Sequence, residues 1–336
     1  MIRKGERNLI TDVPGLTVGN AENHQIRTGV TVVLPEKPMA AAADIRGGAP
    51  GTRETAALDP VSLVDGIDGL FLSGGSAFGL DAGGGVQAHL KAIGRGYEIA
   101  PGLPRVPVVA GAILFDLGSG GDKAWGDEPP YRALGKQAAG QAGLAFRLGN
   151  AGAGLGAVAG GYKGGLGSAS SVLSNGITVG ALVAVNAVGS PVMPGSDAFW
   201  AWPFEQDGEF GGRPPAGPVA AAGLPMDMKG RPQPATNTTI AVIATDADLT
   251  RVELKRLAIM AADGFARALR PVHTPFDGDL VYAVSTGRRP LDGPRPFAVL
   301  ELGTLAADTL ARAIARGVWE ADSLGPFRSY RDVFGR

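Results

Sequence analysis

Within a few positions of residue 237 the chain changes from linker to core, and that change constrains the fold more than anything else in the sequence. From Pro203 to Pro234 the composition is Pro, Gly, Asp and Glu with no apolar periodicity, which is the pattern of a flexible linker, here running over 203–237. The chain then passes Asn237, Thr238 and Thr239 into a run built on Ile240, Val242 and Ile243 with alanines between them. An apolar run of that length predicts a strand buried on both faces. Thr238 therefore stands at the mouth of a rigid element with flexible chain before it. If the Asn237-Thr238 bond were cut, Thr238 would carry a hydroxyl and a free α-amino group on one residue, a nucleophile with its own base. Two plainer readings stand beside this one. A β-branched residue at a strand start is ordinary, and Asn237-Thr238-Thr239 also matches the N-glycosylation triplet.

Beyond this strand the chain signals a helix. Thr250 and Glu253 have the spacing of a capping box, and Leu249 can staple onto Leu254. Leu254, Leu257, Ala258, Ala261, Phe265, Ala268 and Leu269 then fall on one apolar stripe. A second helix is expected from Leu302 to Trp319. Upstream, 10–34 reads as opening strands, and a short helix-like segment from Pro60 leads into a strand at Gly69 to Leu72. Ser76 to Leu90 reads as a closely packed helix, and Val106 to Phe115 and Ile177 to Val188 as core strands. Strands and helices mixed in this way predict an α/β fold of sheets covered by helices.

The charges exclude some functions. Lys and Arg number 31 against 32 Asp and Glu, so there is no basic field to draw the chain to nucleic acid or to a membrane surface. The absence of cysteine excludes disulfides, thiol nucleophiles and thiolate-ligated metals. No apolar run approaches the roughly 20 residues needed to span a bilayer, and the first fifteen residues lack the apolar core of a signal peptide. A soluble, cytoplasmic protein is expected. Glycine, at 53 residues, is about twice its usual share. The Gly149 to Gly167 stretch nevertheless makes no phosphate loop, because no helix-forming run follows it.

Only His24, His89 and His273 are present, without metal-ligand spacing, so no metal site is expected. A Ser-His-Asp hydrolase is the rival chemistry, with Ser76 in Gly74-Gly75-Ser76-Ala77-Phe78 and His273 as partner. The nucleophile-elbow pattern, however, needs a glycine where Phe78 stands. His273 reads more simply as a structural or pocket-edge residue. Asp277-Gly278-Asp279 forms a turn by its composition alone. Asn186 at a strand end reads as a turn former, and Lys163 as a solvated lysine.

The blocks ITDVPGLTVGNAEN, TGVTVVL, DIRGGAPGTRET, LFLSGGSAFGLDAGGGV, VPVVAGAILFDL, VGALVAVNAVG, TNTTIAVIATDADLT and RPVHTPFDGDLVYAVSTG resemble, in order, those of the DmpA-like aminopeptidase and amidase family, which includes β-peptidyl aminopeptidases and nylon-oligomer hydrolases. The resemblance spans about Ile10 to Gly325. It implies a layered α/β/β/α sandwich of the N-terminal-nucleophile type, similar to ornithine acetyltransferase, in one interleaved domain. It also implies self-cleavage into a large chain, 1–237, and a small chain, 238–336. Thr238 would be the nucleophile, Asn186 the oxyanion donor, Asp277 and Asp279 the groups that orient the nucleophile, and Lys163 a pocket cation. The paired aspartates resemble the nylon-oligomer branch, where the aminopeptidase branch carries Ser-x-Glu. Phe115 stands where some aminopeptidase relatives carry a tyrosine, which would place it in the substrate pocket. The resemblance further implies small peptide or amide substrates, no cofactor, and a homo-oligomer, a tetramer of processed units. An acyltransferase using the same threonine, or an uncut homologue that only binds ligands, are the alternatives.

Overall fold

The computed structural model describes residues 2–218 and 237–336. In chain order its strands are β1 (Arg3–Lys4), β2 (Leu16–Asn23), β3 (Thr28–Pro35), β4 (Ala40–Ile45), β5 (Thr52–Arg53), β6 (Gly69–Ser73), β7 (Val109–Ile113), β8 (Val158–Ala159), β9 (Tyr162–Lys163), β10 (Gly165–Val172), β11 (Thr178–Val185), β12 (Ile240–Ala247) and β13 (Leu280–Arg289). The helices are α1 (Ala82–Ala92), α2 (Tyr131–Gly140), α3 (Arg251–Ala261), α4 (Asp263–Ala268), α5 (Arg295–Trp319) and α6 (Tyr330–Phe334). One sheet has the order β1-β10-β11-β12-β13-β4 and the other β2-β3-β6-β7-β5, while β8 and β9 form a small hairpin.

Three apolar clusters define the layers. Val30, Val32, Phe71, Val86 and Leu90 join α1 and α2 to the five-stranded sheet. Leu16, Val33, Leu70, Leu182, Val242 and Tyr282 fill the space between the sheets. Ile243, Leu254, Leu257, Phe265 and Leu310 join the six-stranded sheet to α3, α4 and α5. The result is an α/β/β/α sandwich of the expected type. Every residue of β12 is buried, and its side chains alternate: Ile240, Val242 and Ala244 face the other sheet, Ala241 and Ile243 the helices. Each large side chain contributes about 1.5–3 kcal/mol on burial, and a one-residue slip would exchange the two faces, so the register is strongly set.

The six-stranded sheet interleaves the two parts of the chain. β12 lies antiparallel to β11 and parallel to β13, and β13 lies antiparallel to β4. Residues after 237 thus supply two central strands between neighbours that come from before 237. The expected capping box is present: Thr250 Oγ1 accepts the Glu253 N–H, and the Thr250 N–H donates to Glu253 Oε2 at 2.8 Å.

Three expectations need correction. No helix forms over Pro60 to Gly66; a 3-10 turn at Thr55–Leu58 is followed by loop, in a stretch where Pro60 and Gly66 interrupt helical hydrogen bonding. The last long helix starts at Arg295 rather than Leu302, because Pro296 occupies its first turn, where a missing N–H costs nothing. The stretch from 203 is not uniformly a flexible linker either. Phe210 is buried edge-on against Phe199, at 5.6 Å between ring centroids. Glu209 pairs with Arg312 of α5, with Nη2 to Oε2 at 3.0 Å. A long-range ion pair of this kind leaves no mark on local composition. The rest of the expected linker, 219–236, lies outside the described residues. Among those described, no helix is long and apolar enough to cross a membrane.

Candidate active site

The parallel pairing of β12 and β13 continues upstream of both strands, through the residues singled out by sequence. Asn237 donates its N–H to the Phe276 carbonyl at 2.9 Å, and Gly278 donates its N–H to the Asn237 carbonyl at 2.9 Å. On the opposite side the Thr238 N–H donates to the Asn186 carbonyl, at 2.8 Å, just past the end of β11. The Thr238 hydroxyl donates to the Asn237 carbonyl oxygen. Thr238 is 3 % exposed and Asn237 1 %. The Asn237-Thr238 peptide is therefore held extended between two strands, with the hydroxyl against its own preceding carbonyl. Burial also removes the glycosylation reading, since that modification requires a surface acceptor.

Close packing of backbone on backbone fixes the turn that carries the aspartates. Ala49 donates its N–H to the Asp277 carbonyl at 2.9 Å, and Arg46 and Gly47 donate theirs to the Asp279 carbonyl at 3.0 and 3.1 Å. A Cβ on Gly47 would lie 2.3 Å from the Asp277 carbonyl oxygen, so the loop at 46–49 can approach only because that residue is glycine.

Both carboxylates reach the site, but their hydrogen bonds differ from the expected grip on the Thr238 hydroxyl. Asp279 Oδ1 accepts the Thr239 N–H at 2.8 Å, and its Oδ2 lies 3.0 Å from both the backbone nitrogen and Nδ1 of His273. Asp277 Oδ1 accepts the Val188 N–H at 3.2 Å, and its Oδ2 accepts the Thr274 N–H at 3.0 Å and the Thr274 hydroxyl. Burial, helped by the neighbouring Asp279 charge, pushes the Asp277 carboxyl up to about 6. The pair thus fixes the backbone of Thr239 after the threonine, of Val188 beyond β11 and of the turn at 273–274, and the hydroxyl itself turns to Asn237.

The other expected residues line up behind Asn186. Its Nδ2 donates to the Phe115 carbonyl at 3.1 Å and its Oδ1 accepts the Val158 N–H at 3.0 Å. Val158 pairs across the small hairpin with Lys163. Lys163 is fully buried, with Nζ donating to the carbonyls of Gly154 and Gly164 at 2.9 and 2.8 Å, so the solvated reading of this lysine is overturned. Thr238, Asn186, Phe115 and Lys163 therefore form one connected chain of contacts, with Asp277 and Asp279 on its far side. Ser76 lies in the turn after β6 of the five-stranded sheet, with its N–H on the carbonyl of Leu114, one residue before Phe115. Among the described residues no group of three His, Asp or Glu is placed to hold a metal ion.

Sequence reasoning missed Gly278, Val188, Thr274 and the clamping loop at 46–49, because each acts through its backbone or through a contact distant in sequence. His273 was assigned to a structural or pocket-edge place, and its bond to Asp279 puts it beside the carboxylate pair.

The model of peptidase family S58 matches residues 8–330, and the chain belongs to that family. An uncharacterized aminopeptidase of Mycobacterium tuberculosis is 42 % identical, with 97 % of this chain and 98 % of that protein aligned. A 6-aminohexanoate-oligomer endohydrolase of Kocuria sp. is 30 % identical over 84 % of this chain and 76 % of its own length. Among solved structures, a Burkholderia sp. β-aminopeptidase superposes with a TM-score of 0.70 at 24 % identity, covering 98 % of this chain and 92 % of that one. The L-aminopeptidase D-Ala-esterase/amidase of Ochrobactrum anthropi, described as a variant of the Ntn hydrolase fold, gives 0.69 at 21 %, covering 99 % and 96 %. These two share the fold. Family membership makes the chain a hydrolase of amide bonds in peptides or peptide-like compounds.

Proposed function

We propose that the chain is an autoprocessing amide hydrolase that cuts itself between Asn237 and Thr238 and then uses Thr238 as an N-terminal nucleophile on small peptides or peptide-like amides. The observation that carries this reading is the buried Thr238 hydroxyl resting on the Asn237 carbonyl, in a peptide stretched between two strands. A free Thr238 amine would form at the place where the Thr238 N–H now meets the Asn186 carbonyl, which would keep it beside the hydroxyl it must deprotonate. In turnover the hydroxyl attacks the substrate carbonyl, the amine takes the proton and returns it to the leaving amine, and water releases the acyl group. Asn186 donates to the developing oxyanion, where loss of one such donor costs about a hundred- to a thousandfold. Asp277 and Asp279 hold the strands that aim the nucleophile, Lys163 supplies positive charge to the pocket wall, and Phe115 supplies an apolar surface. The names of the relatives, an aminopeptidase and an endohydrolase of an aminohexanoate oligomer, point to amides of short chains.

Intact mass and N-terminal sequencing of the purified protein test the reading. Fragments of 237 and 99 residues, the second beginning Thr-Thr-Ile, are expected from the 336-residue chain. A preparation that hydrolyses amides as a single uncut chain would overturn it.

A further inference from the structure

Self-cleavage places an oxyanion on a different atom from external hydrolysis. In the first case the negative charge develops on the Asn237 carbonyl oxygen, in the second on a substrate oxygen, and Asn186 has been assigned only to the second. We infer that the backbone N–H of Gly278 is the oxyanion donor of the self-cleavage step; the inference rests on the cleavage proposed above.

Geometry carries the assignment. The Gly278 N–H donates to the Asn237 carbonyl oxygen at 2.9 Å, and that oxygen is the atom on which the negative charge develops. The peptide unit that holds this N–H is fixed at both ends, because its carbonyl, that of Asp277, accepts the Ala49 N–H at 2.9 Å. A peptide whose carbonyl is engaged becomes a better donor at nitrogen, since successive hydrogen bonds polarise one another. The donor also belongs to the ladder that extends the β12–β13 pairing, so it is in place before the reaction and needs no reorganisation.

The identity of the residue fits the same role. Gly278 does not lie in the left-handed region that only glycine adopts readily. Its lack of a side chain answers to space instead: a Cβ there would lie 2.6 Å from Thr238 Oγ1 and 2.7 Å from the Ala49 carbonyl oxygen. A side chain would displace either the nucleophile or the loop that fixes the donor.

The step is an acyl shift from nitrogen to oxygen. A bond forms between Thr238 Oγ1 and the Asn237 carbonyl carbon, and the carbonyl π pair moves onto oxygen, facing the Gly278 N–H. Collapse breaks the carbon–nitrogen bond, the hydroxyl proton ends on the Thr238 nitrogen, and an ester remains. Water then cleaves the ester, giving the Asn237 carboxylate and restoring the Thr238 hydroxyl.

The test removes the N–H without adding a side chain. The full-length chain is made by cell-free translation with glycolic acid at position 278, so that an ester oxygen replaces the N–H, and processing is followed by the appearance of the two fragments. A control carries the hydroxy-acid analogue of leucine at 280, removing the next rung, the Leu280 N–H to the Thr239 carbonyl at 3.3 Å. Processing is expected to slow about a hundred- to a thousandfold in the first variant and to stay near the wild-type rate in the control. Equal slowing in both would make the bond a strand contact and nothing more, and an undiminished rate at 278 would remove the assignment while leaving Thr238 cleavage intact. A wild-type chain that never cleaves under the same conditions would instead overturn the cleavage reading, and this assignment with it.

Discussion

Ser76 and Thr238 each place a hydroxyl where a sheet meets a loop, and the surroundings of the two differ in what they hold. Ser76 follows β6 with φ at 53°, after Gly75 at 88°, a strained turn of the kind that lifts a side chain off a sheet. Its N–H bonds to the Leu114 carbonyl, and the histidine that a serine mechanism would need, His273, is engaged by Asp279 in the turn before β13 of the other sheet. Thr238 sits in extended chain, hydrogen-bonded on both sides, with its hydroxyl on a peptide carbonyl and two buried carboxylates beside it. A strained turn by itself presents a nucleophile to solvent. A strand ladder can hold the bond to be broken.

The largest expected effect separates these two residues directly. Thr238→Ala should leave one intact, folded chain, because no hydroxyl remains to attack Asn237, while Ser76→Ala should process like the wild type. Gel or mass analysis of both variants checks this, and the reverse pattern would move the chemistry to the five-stranded sheet.

A smaller effect tests the pair of carboxylates beside Thr238, where the Ser76 turn holds a single one, Asp116, on the Gly75 N–H. Asp277→Asn should slow processing about tenfold, the scale of one lost charge-assisted hydrogen bond. A carboxyl raised to about 6, against roughly 3.9 in the unfolded chain, binds its proton more tightly when folded. Its contribution to stability is therefore greatest below pH 4 and declines as pH rises to about 6, where it levels off. Denaturation midpoints measured from pH 4 to 7 should decline less steeply in the Thr238→Ala/Asp277→Asn double variant than in the uncut Thr238→Ala chain, the remaining slope coming from other carboxyls that burial raises, such as Asp116 and Asp246. An unchanged slope after the second substitution would assign the titration entirely to those other groups.

The smallest effect lies away from both hydroxyls. Thr250→Ala removes the cap of α3 and should cost about 1 kcal/mol of stability, read from the shift of a denaturation midpoint, with processing unchanged. Impaired processing would mean that the site depends on the helix layer as well as on the strand ladder.

Much of this arrangement was legible in the chain. The apolar run from Ile240 specified a doubly buried strand because few other structures accept consecutive apolar residues at that length, and Thr250 with Glu253 specified the start of α3 because capping is local. Asn186, Asp277, Asp279 and Lys163 were singled out only through resemblance; by their own composition they read as turns or solvent-facing groups. The stretch 203–218 misled as linker because the burial of Phe210 and the Glu209–Arg312 pair arise from parts of the chain far away in sequence, and the segment from Pro60 misled as a helix although Pro60 and Gly66 oppose one locally.

The sequence by itself determined the alternation of β12, the capped helix after it, and the position of a threonine at the junction of polar chain and core, all of which depend on neighbours within a few residues. Tertiary structure alone decided which carbonyl the Thr238 hydroxyl meets, that Gly278 faces both, and that Lys163 is buried against the carbonyls of Gly154 and Gly164. The Gly278–Asn237 rung joins two strands with α3 and α4 between them in the chain, and the Thr238–Asn237 and Lys163–Gly164 bonds are local ones that the packed sheets seal from water. Backbone N–H and C=O groups, identical at almost every position, acquire distinct roles only when the sheet brings them together.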